Sequence, residues 1–112
     1  MYGAWRFENI GWGYTEYIVF SDGTYAFYSD NFCEGAIAYV GKWLLEENSI
    51  IFNQTYSFVI QGPEQNTTRL TIDTEKHALI KKDDIDVYKR EYWEPKKLES
   101  TRKWIKPYIN AK

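Results

Sequence analysis

The sequence is short of the side chains most often recruited for chemistry. Among 112 residues there is one cysteine, Cys33, and one histidine, His77. A lone cysteine makes no internal disulfide, so the fold has to rest on its core. Zinc sites need three or four Cys, His or carboxylate ligands at suitable spacing. A Cys–His nucleophile pair needs hydrogen-bond contact, and these two residues fall on separate expected hairpins. No glycine-rich phosphate loop follows a strand. The run Asp83-Asp84-x-Asp86 lacks the Asp-x-Asp-x-Asp-Gly order and distant Glu of a calcium loop and reads as a solvated turn. None of the sixteen acidic residues sits in a recognisable glycosidase motif. The expectation is a non-catalytic protein with no cofactor and no metal.

Two further absences concern place. No apolar run is long enough to span a bilayer. Residues 1–6 lack the basic segment and apolar run of a signal peptide, so the expected setting is cytoplasmic. The sequons at Asn53 and Asn66 then read as ordinary strand and turn residues.

Aromatic residues are abundant: ten Tyr, six Phe and five Trp make up 19% of the chain. Flat rings pack well on pleated strands and also serve as binding anchors. Hydrophobic residues at 44% and charged residues at 27% are those of a globular chain, and the length fits one domain. The net charge of −2 conceals an asymmetry: residues 95–112 carry six basic and one acidic residue, +5, and residues 1–94 carry −7. An acidic body repels phosphate and attracts basic partners.

Trp5 and Phe7 alternate with Ala4 and Arg6 in an opening strand. Residues 17–20 and 24–28 flank Ser21-Asp22-Gly23, a hairpin signal because Asp-Gly supplies positive φ. Residues 36–45 read as a longer strand with Ile37, Tyr39, Gly41, Trp43 and Leu45 on one face. Residues 46–49 turn the chain into Ile50-Ile51-Phe52, residues 56–60 form another strand, and residues 62–66 form a loop. Leu70 and Ile72 alternate with polar neighbours, and a last hairpin joins 78–81 to 85–90. The period then changes. Glu94-Pro95 starts a helix, Leu98, Thr101, Arg102, Trp104 and Ile105 keep helical spacing, and Pro107 stops it. The fold class is all-β: a small antiparallel β-barrel or closed sandwich of about eight short strands over residues 1–93, with a C-terminal α-helix in a basic tail, residues 94–112, docked on it.

Gly3-Ala4-Trp5 in the first strand resembles the Gly-x-Trp signature of lipocalin and calycin barrels. That resemblance implies an Arg from the last strand packed across the Trp, and Arg90 stands in the matching place, just before the tail helix. The order of elements is similar over nearly the whole chain. The family's middle Thr-Asp-Tyr motif is not present, and the chain is shorter than a typical member.

Two binding roles follow. One is an immunity-type inhibitor that neutralises a basic protein partner such as a nuclease toxin. Its contacts would be the acidic turns Glu46-Glu47 and Asp83-Asp84-x-Asp86, with Trp12, Tyr28 and Phe32 as aromatic anchors. The other, implied by the resemblance, is a carrier of a small apolar ligand. Strands of five to eight residues make a shallow barrel, and inward Trp5, Phe20, Tyr25, Phe27, Trp43 and Phe58 would largely fill it. The protein-binding role is the favoured expectation. Nucleic acid is not expected as a partner, nor is a membrane, because the tail's apolar stripe is short and faces the barrel.

Overall fold

The computed structural model describes residues 2–9, 13–30, 36–81 and 86–110, with Asn9 and Asp86 described in their backbone alone. Eight strands run in sequence: β1 (Gly3–Asn9), β2 (Gly13–Val19), β3 (Thr24–Ser29), β4 (Ala36–Glu46), β5 (Ser49–Ser57), β6 (Gly62–Asp73), β7 (Ala78–Lys81) and β8 (Asp86–Glu91). Each pairs antiparallel with the next, and β8 pairs with β1, so the sheet closes into a barrel. Closure removes the exposed edges that an open sheet would present. One helix, α1 (Pro95–Ile109), follows.

Alternation along the strands divides the apolar residues between two cores. Trp5, Tyr17, Val19, Tyr25, Ile50, Phe52, Leu70, Leu79 and Tyr88 meet inside the barrel, with Phe7, Phe27, Trp43 and Ile72 against them. Ring packing is dense there: Tyr17 stacks on Phe52 at 4.3 Å and lies 4.7 Å from Phe27 and 5.2 Å from Tyr88. Each large side chain buried this way contributes about 1.5–3 kcal/mol. The second core lies outside the barrel wall, beneath α1. It joins Ala4, Ile18, Phe20, Ala26 and Val40 to Trp93, Ile105 and Ile109. Phe20 and Phe58 therefore face outward into the helix interface, not inward as their alternation suggested.

Two bulges explain part of that difference. The β3–β4 register passes from Phe27↔Tyr39 to Tyr28↔Ile37 and skips Ala38. Ile37 is thereby moved from the Tyr39 face to the outer one. In β5, Thr55 is skipped between Gln54 and Tyr56, which turns Tyr56 and Phe58 outward. Residues 50–57 form one bulged strand rather than two, and residues 62–66, expected as a loop, belong to β6. Gly41 sits at the β5 bulge because a Cβ there would lie 2.1 Å from the Asn53 carbonyl oxygen.

The helix also runs past its expected end. Pro107 lies inside α1, which continues to Ile109. Proline removes one N–H, whose partner would be the carbonyl of the exposed residue Lys103. Beyond it, Tyr108 and Ile109 are held by packing against the barrel wall, and that packing outweighs the lost bond.

Candidate functional site

The β4–β5 hairpin is a rigid ladder that runs unbroken from Gly41↔Gln54 to Glu46↔Ser49. Its tip turns through Glu47, whose φ of 55° is left-handed. Leu44, Leu45, Glu46 and Glu47 are all exposed there. Glu46 takes a 3.4 Å contact from Arg69 on β6. Below the tip, Trp43 donates its indole N–H to the Phe20 carbonyl at 2.8 Å, and Tyr2 covers the same ring at 6.0 Å. Leu44 and Leu45, on opposite faces of β4, thus stand near two carboxylates on a fixed support.

Tyr28 belongs to another neighbourhood. It stacks on Tyr14 at 5.8 Å and meets Trp93 edge-on at 6.3 Å. Burial, then the nearby Tyr14 and Asp30, raise its pKa above that of an ordinary phenol. Its partner Ile37 is nine residues from Glu46 along β4, roughly 25–30 Å of strand. The structure therefore separates Tyr28 from the Glu46-Glu47 turn. Trp12, Phe32, Asp83 and Asp84 lie outside the described residues, as does the side chain of Asp86.

Sequence reasoning missed a buried ionic cluster on the outer wall. Glu16 is completely buried. Its carboxylate accepts from the Trp93 indole N–H at 3.1 Å and from the Arg6 guanidinium at 3.4 Å. Arg6 also approaches Glu91 at 3.8 Å and lies 3.8 Å from the Tyr14 ring centroid. Burial works against the Arg6 charge, but Glu16 and then Glu91 outweigh it and hold the pKa above the ordinary guanidinium value. The signal was present in the sequence: Arg6 and Glu16 are directly opposed across the first hairpin. What hides Glu16 from water is Trp93, 77 residues later.

Tyr17 and Tyr25 bring hydroxyl groups into the core inside the barrel. Burial, with the neighbouring phenols of Tyr88 and Tyr25, pushes the Tyr17 hydroxyl well above its usual range, against a hydrogen bond with Thr68. Burial does the same to Tyr25. Hollows open at the surface among the described residues. At the seam, where β1 and β8 pair over three residues, a cleft of about 470 Å³ is lined by Arg6, Phe7, Glu8, Val87, Lys89, Arg90 and Glu91. Its three cations face two carboxylates. A second hollow, about 290 Å³, lies among Trp5, Ile72, Asp73, Thr74, His77 and Ala78. It is largely apolar.

At the seam Arg90 lies over Trp5, 5.4 Å from the ring centroid. Gly3 has φ +115°, and a Cβ on it would come within 2.7 Å of the guanidinium. The Gly-x-Trp spacing thus has a physical reason in this chain: the glycine leaves the space that Arg90 fills. Comparison of the chain with family models, with curated proteins and with solved structures finds no match.

Proposed function

We propose that the chain is a non-catalytic binding protein that captures a basic protein partner, in the manner of an immunity protein, through the tip of the β4–β5 hairpin. The observation that carries this reading is the exposure of Leu44 and Leu45 immediately before Glu46 and Glu47. Apolar anchors beside carboxylates suit a basic surface, because the leucines give up water while the charges steer encounter and fix register. The acidic body adds a long-range pull of the same sign. A barrel centre occupied by stacked rings leaves binding to the outside.

The test is association with the product of the adjacent gene, followed at two salt concentrations. Glu46→Lys with Glu47→Lys is expected to slow association about tenfold at low salt and much less at high salt, since screening acts over about 10 Å at 0.1 M. Leu45→Ala is expected to speed dissociation instead. Unchanged kinetics in both variants would remove the hairpin from the interface. A second reading, a lipocalin-like carrier, draws support from the Trp5–Arg90 closure and from the apolar hollow beside Trp5. Native mass spectrometry of the purified protein separates the two, since a carrier retains a small molecule.

A further inference from the structure

Away from that hairpin, a second apolar surface stands where α1 meets the β5–β6 turn. Val59 and Ile60 are consecutive turn residues, 68% and 57% exposed. Their direction is fixed. The Ser57 hydroxyl oxygen accepts from the N–H groups of both, at 3.2 and 3.4 Å, and Gln61 closes the turn in the left-handed region. Beside them Trp104 stacks on Phe58 at 5.2 Å and is still 53% exposed. Tyr108 braces both rings, 4.7 Å from Phe58 and 5.7 Å from Trp104. An exposed aliphatic pair that follows Phe58 in the turn and a half-exposed indole stacked on Phe58 therefore meet at one junction.

The charge that α1 brings to this junction is mostly basic. Lys96, Lys97 and Lys103 of α1 are exposed on or next to the Trp104 side of the helix, while Lys106, two residues on, points to the other side. Two carboxylates lie nearby: Glu99 takes the guanidinium of Arg102, while exposed Glu64 accepts from the Gln54 amide at 2.8 Å and keeps its charge. Leu98 and Ile105 are spent on the barrel wall, as the sequence implied, and so is Ile109; no helix among the described residues is long and apolar enough to cross a membrane. The junction is not that stripe. It is the edge of α1 joined to a turn from the barrel, a surface that helical periodicity does not reveal.

We propose that this junction docks on an anionic lipid surface, with Val59 and Ile60 entering the acyl boundary, Trp104 at headgroup depth and the lysines on the lipid phosphates. Aliphatic residues on a stiff turn enter a bilayer without first losing conformational freedom. Indoles favour the interface, and lysine stems lie along apolar surface while their ammonium groups stay among headgroups. Apolar insertion and basic attraction together give the reversible binding of a peripheral protein. The surface is separate from the β4–β5 hairpin, so either reading can fail alone.

The experiment is flotation of the full chain with vesicles of phosphatidylcholine, with and without phosphatidylserine. Binding is expected with phosphatidylserine and not with phosphatidylcholine alone, and is expected to fall with added salt. Val59→Asp with Ile60→Asp, and separately Lys96→Glu with Lys103→Glu, should each weaken it at least about tenfold. All four side chains are exposed, so circular dichroism and Tm should stay as in the parent. No flotation, equal flotation with both vesicles, or flotation indifferent to both variant pairs would overturn the proposal. So would capture of soluble polyglutamate with the same residue dependence and no vesicle binding, which would point to an acidic protein instead.

Discussion

The guanidinium of Arg90 covers the indole of Trp5 where the last strand meets the first, and Gly3 is the residue that makes room for it. Three residues from the two ends of the barrel thus act on one another. Arg90→Ala is expected to lower stability by about 0.5–1 kcal/mol, the worth of a largely exposed cation–π contact. Gly3→Ala meets two obstacles: an alanine at φ +115° costs about 1–2 kcal/mol, and its Cβ displaces the guanidinium. In the Arg90→Ala background the second obstacle is gone and the first persists. Urea unfolding of the four proteins should therefore give a combined loss smaller than the sum. Strict additivity would mean that the glycine and the arginine do not share that space.

Glu16 is the least replaceable carboxylate among the described residues. Glu16→Leu leaves the Trp93 N–H with no acceptor and takes from Arg6 its buried partner. Breaking a buried pair from one side costs about 3–5 kcal/mol. Arg6 keeps partial exposure and Glu91, so about 2–4 kcal/mol is expected here. Glu16→Gln retains an acceptor for Trp93 and should lose less. Pairing Glu16→Leu with Arg6→Leu should recover part of the loss, since no charge is then stranded. Denaturant midpoints check all three, and a near-neutral Glu16→Leu would show that the cluster carries no stability.

Asp22 ties the β2–β3 turn to α1 through Arg102 at 3.3 Å. Burial opposes its charge, but hydrogen bonds from Thr24 and Arg102 prevail and hold its pKa below the ordinary carboxylate value. A carboxylate depressed in the folded state gives stability that is complete above its unfolded pKa, about 3.9. That stability is lost as pH falls through the lower folded value. Asp22→Asn should therefore lower Tm at neutral pH by no more than a few degrees, because the pair is solvent-screened. The gap to the parent should close below about pH 4. A gap that widened on acidification would contradict the sign.

Local pattern determined a large part of this protein. Alternation at Trp5 and Phe7, the Asp22-Gly23 turn and the short strands at even spacing specify an antiparallel all-β chain, because strand period and turn chemistry are properties of neighbouring residues. Glu94-Pro95 fixes the helix start in the same way. The contact of Arg90 with Trp5 is one that the resemblance to Gly-x-Trp barrels implies. Other features were decided by tertiary structure. Skipping Ala38 and Thr55 sent Ile37, Tyr56 and Phe58 to the outer wall, and a bulge depends on the partner strand, which alternation does not contain. Pro107 stayed within the helix because the barrel beneath it packs the residues that follow. Glu46 and Tyr28 came to lie far apart along one strand pairing, and Glu16 became buried when Trp93 closed over it. The junction of Val59, Ile60 and Trp104 joins residues 44 positions apart in the chain, and the docking of α1 brings them together.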